Sequence, residues 1–229
     1  MKLDCAHCPV RDSAACSALS DAERKQLARA GRHRTFERGE TVFHAGDDND
    51  RCATLTSGLL KITRSEPDGA ERILSLVHPA GFAGEMFAPV LHHDVVALTD
   101  SSLCLFARSD YEAAMERHPA LAKALLRRSA QDLYEARTQI ALDAKRGAQA
   151  KVANLLVALA KAASHSPCHA AERFDLPLTR GEMGQLLGLT IETVSRQLTR
   201  LEKDGLIEKS GARGILVKDP ARLTALAEG

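Results

Sequence analysis

Apolar and polar positions change period three times along the chain. Ser20-Asp21-Ala22-Glu23 has the form of a capping box and opens a short helix that ends near Ala30, before Gly31. From Thr35 to about Ala107 the runs shorten to strand length: Thr41–His44, Ala53–Thr56, Leu59–Thr63, Arg72–Val77, Val95–Leu98 and Leu103–Phe106. Glycine-rich turns separate them, and Pro67-Asp68-Gly69 between two alternating runs is a hairpin signal. Many short strands at this spacing predict a sandwich or jelly-roll barrel. A second capping box, Ser109-Asp110-Tyr111-Glu112, predicts a return to helix, restarted at Pro119.

Residues 120–146 lack proline and glycine and are rich in strong helix formers. Such a helix, about 27 residues, would span roughly 40 Å. Leu126, Leu133 and Ile140 recur every seven residues, with Ser129, Ala136 and Asp143 at the alternate seam positions. This stripe predicts a two-helix dimer seam. The competing expectation is a helix packed on its own β-domain. A further amphipathic helix is predicted from Gln149 to Ala163, followed by a loop over Ser164–Arg173.

The last 55 residues carry the most specific pattern. Thr179-Arg180-Gly181-Glu182 is a third capping box; the helix it opens turns Met183, Leu186 and Leu187 inward and stops at Gly188. A second helix starts at Thr190 with Val194, Leu198 and Leu201 on one face. Two short helices around a glycine turn predict a helix-turn-helix. Leu206–Lys209 and Ile215–Val217, joined through Gly211 and Gly214, then predict the hairpin wing of a winged helix. The outward face of the second helix carries Glu192, Ser195 and Arg196, with Ile191, Thr193 and Thr199 nearby. Glutamate can accept from cytosine N4, arginine can grip guanine O6 and N7, and an apolar side chain suits a thymine methyl. The bland expectation for this face is a solvated Glu192–Arg196 pair one turn apart.

Composition narrows the function. The chain has 229 residues with a net charge of +1, 45% apolar residues, 3% aromatics and no Trp. Base stacking on aromatic platforms is therefore disfavoured, and any nucleic-acid binding must come from a local surface rather than from overall charge. Residues 1–110 hold 13 Lys/Arg against 16 Asp/Glu, 111–171 hold 9 against 5, and 172–229 hold 9 of each, so the middle is the basic part. No stretch is long and apolar enough for a membrane helix, and Met1-Lys2-Leu3-Asp4-Cys5 lacks the apolar centre of a signal peptide, so a cytoplasmic protein without membrane association is expected. Three of the six cysteines, Cys5, Cys8 and Cys16, fall in the first 16 residues. In a reducing compartment such clustering points to metal binding or redox chemistry rather than to disulfides. Four thiolates could hold an iron–sulfur cluster or a zinc ion, with His7 an alternative zinc ligand. Cys52 reads as a small buried hydrophobe and Cys168 as a loop residue.

Glu192-Thr-Val-Ser195-Arg196 in this setting resembles the recognition helix of the FNR branch of the CRP/FNR superfamily of bacterial transcription regulators, and the resemblance extends over nearly the whole chain. It implies an α+β fold: a cysteine-rich segment (1–19), a β-roll sensor domain (20–118), a dimerisation helix (119–147) and a winged helix-turn-helix domain (148–229). It also implies a homodimer that recognises a TTGAT-N4-ATCAA-type palindrome in double-stranded DNA and works with RNA polymerase as an activator. The implied DNA-binding residues are Arg180, Thr190, Ile191, Glu192, Thr193, Ser195, Arg196 and Arg213; the implied dimer residues are Leu126, Leu133, Ala136 and Ile140. Ile191 stands where the CRP branch has an arginine. Ala136 stands where the FNR branch tends to place an acidic residue, with Asp132 and Asp143 flanking it.

Cys5-x2-Cys8-x7-Cys16 resembles a variant of the FNR cysteine array, and Cys104 matches the position of the fourth ligand. The resemblance thus implies a 4Fe-4S cluster on Cys5, Cys8, Cys16 and Cys104, whose loss in oxygen releases DNA and so controls anaerobic gene expression. The alternatives are the same regulator with zinc, thiol-redox or small-effector sensing. A bound cyclic nucleotide is disfavoured: Gly84-Glu85 resembles the start of the CRP phosphate cassette, but Leu91–Ala97 offers no arginine for the phosphate. No metalloprotease, nucleophile-elbow or P-loop motif is present, so no enzyme is expected. A cupin-like enzyme would need a spaced ligand set that His44, His78, His92 and His93 do not make.

Overall fold

The computed structural model describes residues 4–67, 69–143, 146–164 and 170–228. Cys168, the Met1–Leu3 end and the central Asp68 of the predicted hairpin turn lie outside them, as does the side chain of Asp143. The chain divides into two compact units, Met1–Glu135 and Ala136–Gly229.

The first unit opens with a 3-10 turn, Ala15–Ala18, and helix α1 (Asp21–Ala30). The Ser20 capping box forms in both directions, with Ser20 accepting from the Glu23 amide and Glu23 accepting from the Ser20 amide. Strands β1 (Gly31–Phe36), β2 (Thr41–Phe43), β3 (Arg51–Ser57), β4 (Leu60–Ser65), β5 (Glu71–Val77), β6 (Phe82–Ala83), β7 (Asp94–Ala97) and β8 (Ser101–Ala107) follow. They make two antiparallel sheets ordered β1-β8-β3-β6 and β2-β7-β4-β5. Between the sheets lies a core that includes Phe36, Phe43, Leu55, Leu60, Val95 and Leu103. Burying such side chains contributes about 1.5–3 kcal/mol each, and this holds the roll together. β4 and β5 form the expected hairpin, closed by the Glu66 amide donating to Ala70 C=O at 2.8 Å.

Side chains alternate across β8. Leu103 therefore enters the inter-sheet core, while Cys104 and Phe106 point to the opposite face. There they meet Cys52, Leu27 of α1, and Tyr111 and Met115 of helix α2 (Arg108–Arg117). Helix α3 (Pro119–Asp143) starts in the same cluster through Leu121 and Leu125, but Leu126, Leu133 and Ile140 are 70%, 50% and 71% exposed. The head of α3 packs on its own roll; the heptad stripe does not.

The second unit contains α4 (Ala148–Ala163), β9 (Arg173–Asp175), α5 (Arg180–Leu187), α6 (Ile191–Lys203), β10 (Ile207–Ser210), β11 (Gly214–Val217) and α7 (Pro220–Glu228). Its sheet runs β10-β11-β9, all antiparallel.

Three local expectations need correction. The Ser109 capping box does not form: α2 starts at Arg108, its N-cap is Ala107, and no side chain caps it. The β8 ladder extends to Ala107, opposite Arg51, and the Arg108 amide donates to Asp50 C=O at 2.8 Å, so strand passes into helix without a free capping residue. Gly31–Phe36, with Arg32, His33 and Arg34 in a row, is a strand because β8 pairs with it. The loop expected over Ser164–Arg173 ends in β9, which exists through pairing to β11.

Candidate functional site

Four cysteines from distant parts of the sequence line one pocket. Cys5, Cys8 and Cys16 come from the N-terminal segment, and Cys104 comes from the middle of β8, opposite His33 of β1 and Thr54 of β3. Val10 and Ala14 anchor the segment by packing on Ala80, with Cys8 and Cys16 beside them. Arg11, Arg24, Leu27, Thr54, Phe106 and Tyr111 complete the wall. Burial pushes the Cys104 thiol up to about 12, and the neighbouring Cys8, Cys5 and Cys16 add to the shift. Burial also raises Cys16 and Cys5, with Cys8 next in importance, while Arg24 opposes the shift at both. These thiols stay protonated at neutral pH until a metal takes the proton's place. Cys52, 1% exposed and likewise pushed up to about 12 by burial, lies outside the pocket lining, as expected of a packed small hydrophobe.

Among the described residues, no three His, Cys, Asp or Glu side chains close tightly enough to hold a single ion. A tetrahedral zinc with Zn–S near ~2.3 Å would draw its sulfurs to roughly 3.8 Å of one another. A cube with iron at separate corners spreads its four thiolates farther apart. The donor set, four soft thiols around one opening, has the chemistry of an iron–sulfur or an all-cysteine zinc site.

At the expected phosphate-cassette position, Glu85 is taken up within the chain. It accepts from the His92 amide at 3.0 Å and meets His92 Nδ1 at 2.5 Å and His93 Nδ1 at 2.9 Å. These histidine bonds hold its carboxyl below the ordinary range, against the opposing effect of burial.

In the second unit, Thr179 caps α5 as a full capping box, and Gly188 ends it in the left-handed region at φ +64°. Gly184 lets the turn close: a Cβ there would stand 2.5 Å from Leu189 C=O. Thr190 caps α6, accepting from the Thr193 amide at 3.2 Å. Val194, Leu198 and Leu201 are fully buried, and this turns Ile191, Glu192 and Arg196 to the surface with Ser195 and Thr193 half-buried between them. Arg196 donates to Thr193 Oγ1 at 3.3 Å, and no Glu192–Arg196 ion pair forms among the described residues. Its own backbone amide and then the Thr190 hydroxyl hold the Glu192 carboxyl below its ordinary range, so it is an acceptor at neutral pH. Arg180 opens α5, and Arg213 is exposed in the β10–β11 turn.

Sequence reasoning missed several supporting groups. Lys209 of β10 ties the wing to α6: its amide donates to Glu202 at 3.0 Å, its ammonium pairs with Glu202 at 2.8 Å, and it reaches Thr199 at 3.3 Å. α7 was also legible, because Asp219-Pro220 places a capping acid before a first-turn proline and Asp219 accepts from the Arg222 amide at 3.0 Å. Arg24 stands one turn before the buried Leu27 on the inward face of α1, and a charge there was the available signal.

Residues 33–118 match the cyclic nucleotide-binding domain family, and residues 150–226 match the Crp-like helix-turn-helix domain family. The chain is 35% identical over 222 residues to the transcriptional activator protein FnrL of Cereibacter sphaeroides, covering 96% of this chain and 90% of that one. It is 32% identical to the nitrogen fixation regulation protein FixK of Bradyrhizobium diazoefficiens, covering 97% and 93%. The structure of FixK2 from Bradyrhizobium japonicum superposes with a TM-score of 0.77 at 26% identity, over 86% of this chain and 96% of that one. With a β-roll, a winged helix and relatives matched along nearly their full length, the chain belongs to the CRP/FNR family of DNA-binding transcription regulators and is not an enzyme.

Proposed function

We propose that this regulator is an oxygen-responsive transcription activator that carries a 4Fe-4S cluster on Cys5, Cys8, Cys16 and Cys104 and reads a TTGAT-N4-ATCAA-type palindrome as a homodimer. The observation that carries the sensor reading is the gathering of those four thiols on one pocket, with Cys52 outside it. When bound, the cluster supplies an iron–sulfur centre that reacts with oxygen. The raised thiols argue against a thiol-redox switch, which needs thiolate at neutral pH. Glu85 is already engaged by two histidine rings and the His92 amide, which would compete with a nucleotide ribose for its oxygens.

The chain's own contacts give the sensor two routes to the dimer helix. Cys104 lies two residues before Phe106, whose ring meets Tyr111 of α2 edge-on at 5.3 Å. Glu23, which closes the Ser20 capping box just after the cysteine segment, also pairs with His118 at 3.0 Å, and His118 directly precedes α3. Movement of the cysteine segment therefore bears on the start of the helix that carries the exposed apolar stripe. On DNA, Arg196 and Glu192 supply a guanine donor and a cytosine acceptor one helical turn apart, Ile191 meets a methyl, and Arg213 and Arg180 face phosphate.

The test is anaerobic purification with an absorption spectrum and iron and sulfide assays. The expected result is a broad band near ~400 nm, lost in each of Cys5→Ser, Cys8→Ser, Cys16→Ser and Cys104→Ser and kept in Cys52→Ser. Full cluster content in the Cys104→Ser protein would overturn the ligand set.

A further inference from the structure

The segment that bears Cys5, Cys8 and Cys16 has few apolar anchors of its own. Its 3-10 turn, Ala15–Ala18, contains no buried residue and no side-chain cap. Two arginines take over the task. The Arg24 side chain is only 9% exposed on α1. Its Nε donates to Cys16 C=O at 3.2 Å, and its Nη2 donates to Ser17 C=O at 3.4 Å and Leu19 C=O at 3.0 Å. Its Nη1 reaches Asp21 Oδ1 at 3.5 Å. The same Asp21 oxygen accepts from Arg11 Nη2 at 2.6 Å, and Arg11 Nη1 donates to Ala6 C=O at 3.4 Å. Asp21 thus joins two guanidiniums, one holding each side of the cysteine array, and both line the cysteine pocket.

A buried guanidinium is costly unless its donors are used. Here the rigid fork spends them on the backbone carbonyls of Ser17 and Leu19 and on Cys16 C=O, which also takes the Leu19 amide at 3.2 Å, and so fixes the chain on either side of Cys16. A lysine cannot do this, because a single ammonium on a flexible stem does not span three carbonyls arranged around a planar fork. The two cations also stand where four thiolates would leave net negative charge around a cluster.

We propose that Arg24 is a positioning residue for the cysteine pocket: its clamp on the carbonyls of Cys16, Ser17 and Leu19 aims the Cys16 thiol at the opening that Cys104 closes, and Asp21 extends the clamp through Arg11 to the Cys5–Cys8 side. The part of this that concerns cluster retention rests on the cluster reading above; the clamp itself is a property of the chain without metal.

Two measurements separate them. Hydrogen–deuterium exchange on the metal-free full chain should show amides in residues 13–20 exchanging at least about tenfold faster in Arg24→Gln and in Arg24→Lys than in the parent, with α2 and the β-roll unchanged. Asp21→Asn, which leaves Arg24 on its three carbonyls, should instead loosen residues 6–11. On anaerobically loaded protein, an iron chelator should strip both Arg24 variants about 10–100-fold faster. Parent-like exchange in the Arg24→Gln segment, or in residues 6–11 of Asp21→Asn, overturns the clamp. Parent-like stripping of Arg24→Lys shows that charge alone suffices, which also overturns it. A parent protein that takes up no iron overturns the cluster reading, while the exchange result still decides the clamp.

Discussion

Replacing Leu133 by alanine tests whether the exposed stripe of α3 is a dimer seam. In the single chain, Leu126, Leu133 and Ile140 leave 70%, 50% and 71% of their surface open, although Leu121 and Leu125 of the same helix are buried. Fully burying a leucine or isoleucine side chain contributes about 1.5–3 kcal/mol, so covering the open half of Leu133 contributes roughly 0.8–1.5 kcal/mol per chain. Twofold symmetry applies the loss twice, giving about 1.5–3 kcal/mol per dimer, with any residual cavity adding to it. At ~1.4 kcal/mol per tenfold, the dimer dissociation constant should rise roughly 10- to 150-fold. Ile140→Ala, more open at the start, should cost somewhat more. Sedimentation equilibrium of the anaerobic protein reads this constant directly. Gln131→Ala serves as the control, since it loses only an exposed bond to Glu135 at 2.7 Å. An unchanged dimer constant in Leu133→Ala would refute the seam. So would a large drop in the melting temperature of a chain that was monomeric throughout, because the side chain would then be packed on its own chain.

Arg196→Ala should cost about 1–3 kcal/mol per half-site and relax preference at the guanine of TTGAT, measured by titration against single-base variants. Arg213→Ala should weaken all variants alike and lower the salt slope by about one. Gly184→Ala should destabilise the second unit by about 1–3 kcal/mol and abolish DNA binding, since the new Cβ meets Leu189 C=O at 2.5 Å; a parent-like melt with full DNA affinity would show that the turn relaxes freely. His78 is held below its ordinary 6.5 first by burial and then by Arg128, with Glu135 opposing. Its folded state therefore binds protons less readily than its unfolded state, so its contribution is complete above pH 6.5 and is lost as pH falls from there toward the folded value. Melting temperature against pH should fall on the acid side of 6.5, and His78→Gln should flatten that slope.

The elements legible from sequence alone were those in which local chemistry and burial agree. The capping boxes at Ser20 and Thr179 form because hydroxyl and carboxylate lie three residues apart on the same turn. The buried Val194, Leu198 and Leu201 repeat at helical spacing, so the polar face of α6 was determined before any coordinate. The Ser109 box had the same local signature and failed, because β8 pairing extends to Ala107 and leaves the capping position no room. Gly31–Phe36 and Arg173–Asp175 are strands only because another strand supplies their hydrogen bonds, a condition that no local pattern contains. The cysteine array divides in the same way. The sequence by itself made Cys5, Cys8 and Cys16 neighbours, and it told Cys104 from Cys52 only through resemblance to a family. Tertiary structure decided the rest. Alternation along β8 turns Cys104 away from the roll's interior, and the fold of the N-terminal segment brings three thiols over it. The arginine clamp that holds this segment in place runs from Arg11 and Arg24, joined by Asp21, to the backbone carbonyls of residues 6, 16, 17 and 19, and carbonyls have no sequence identity to read.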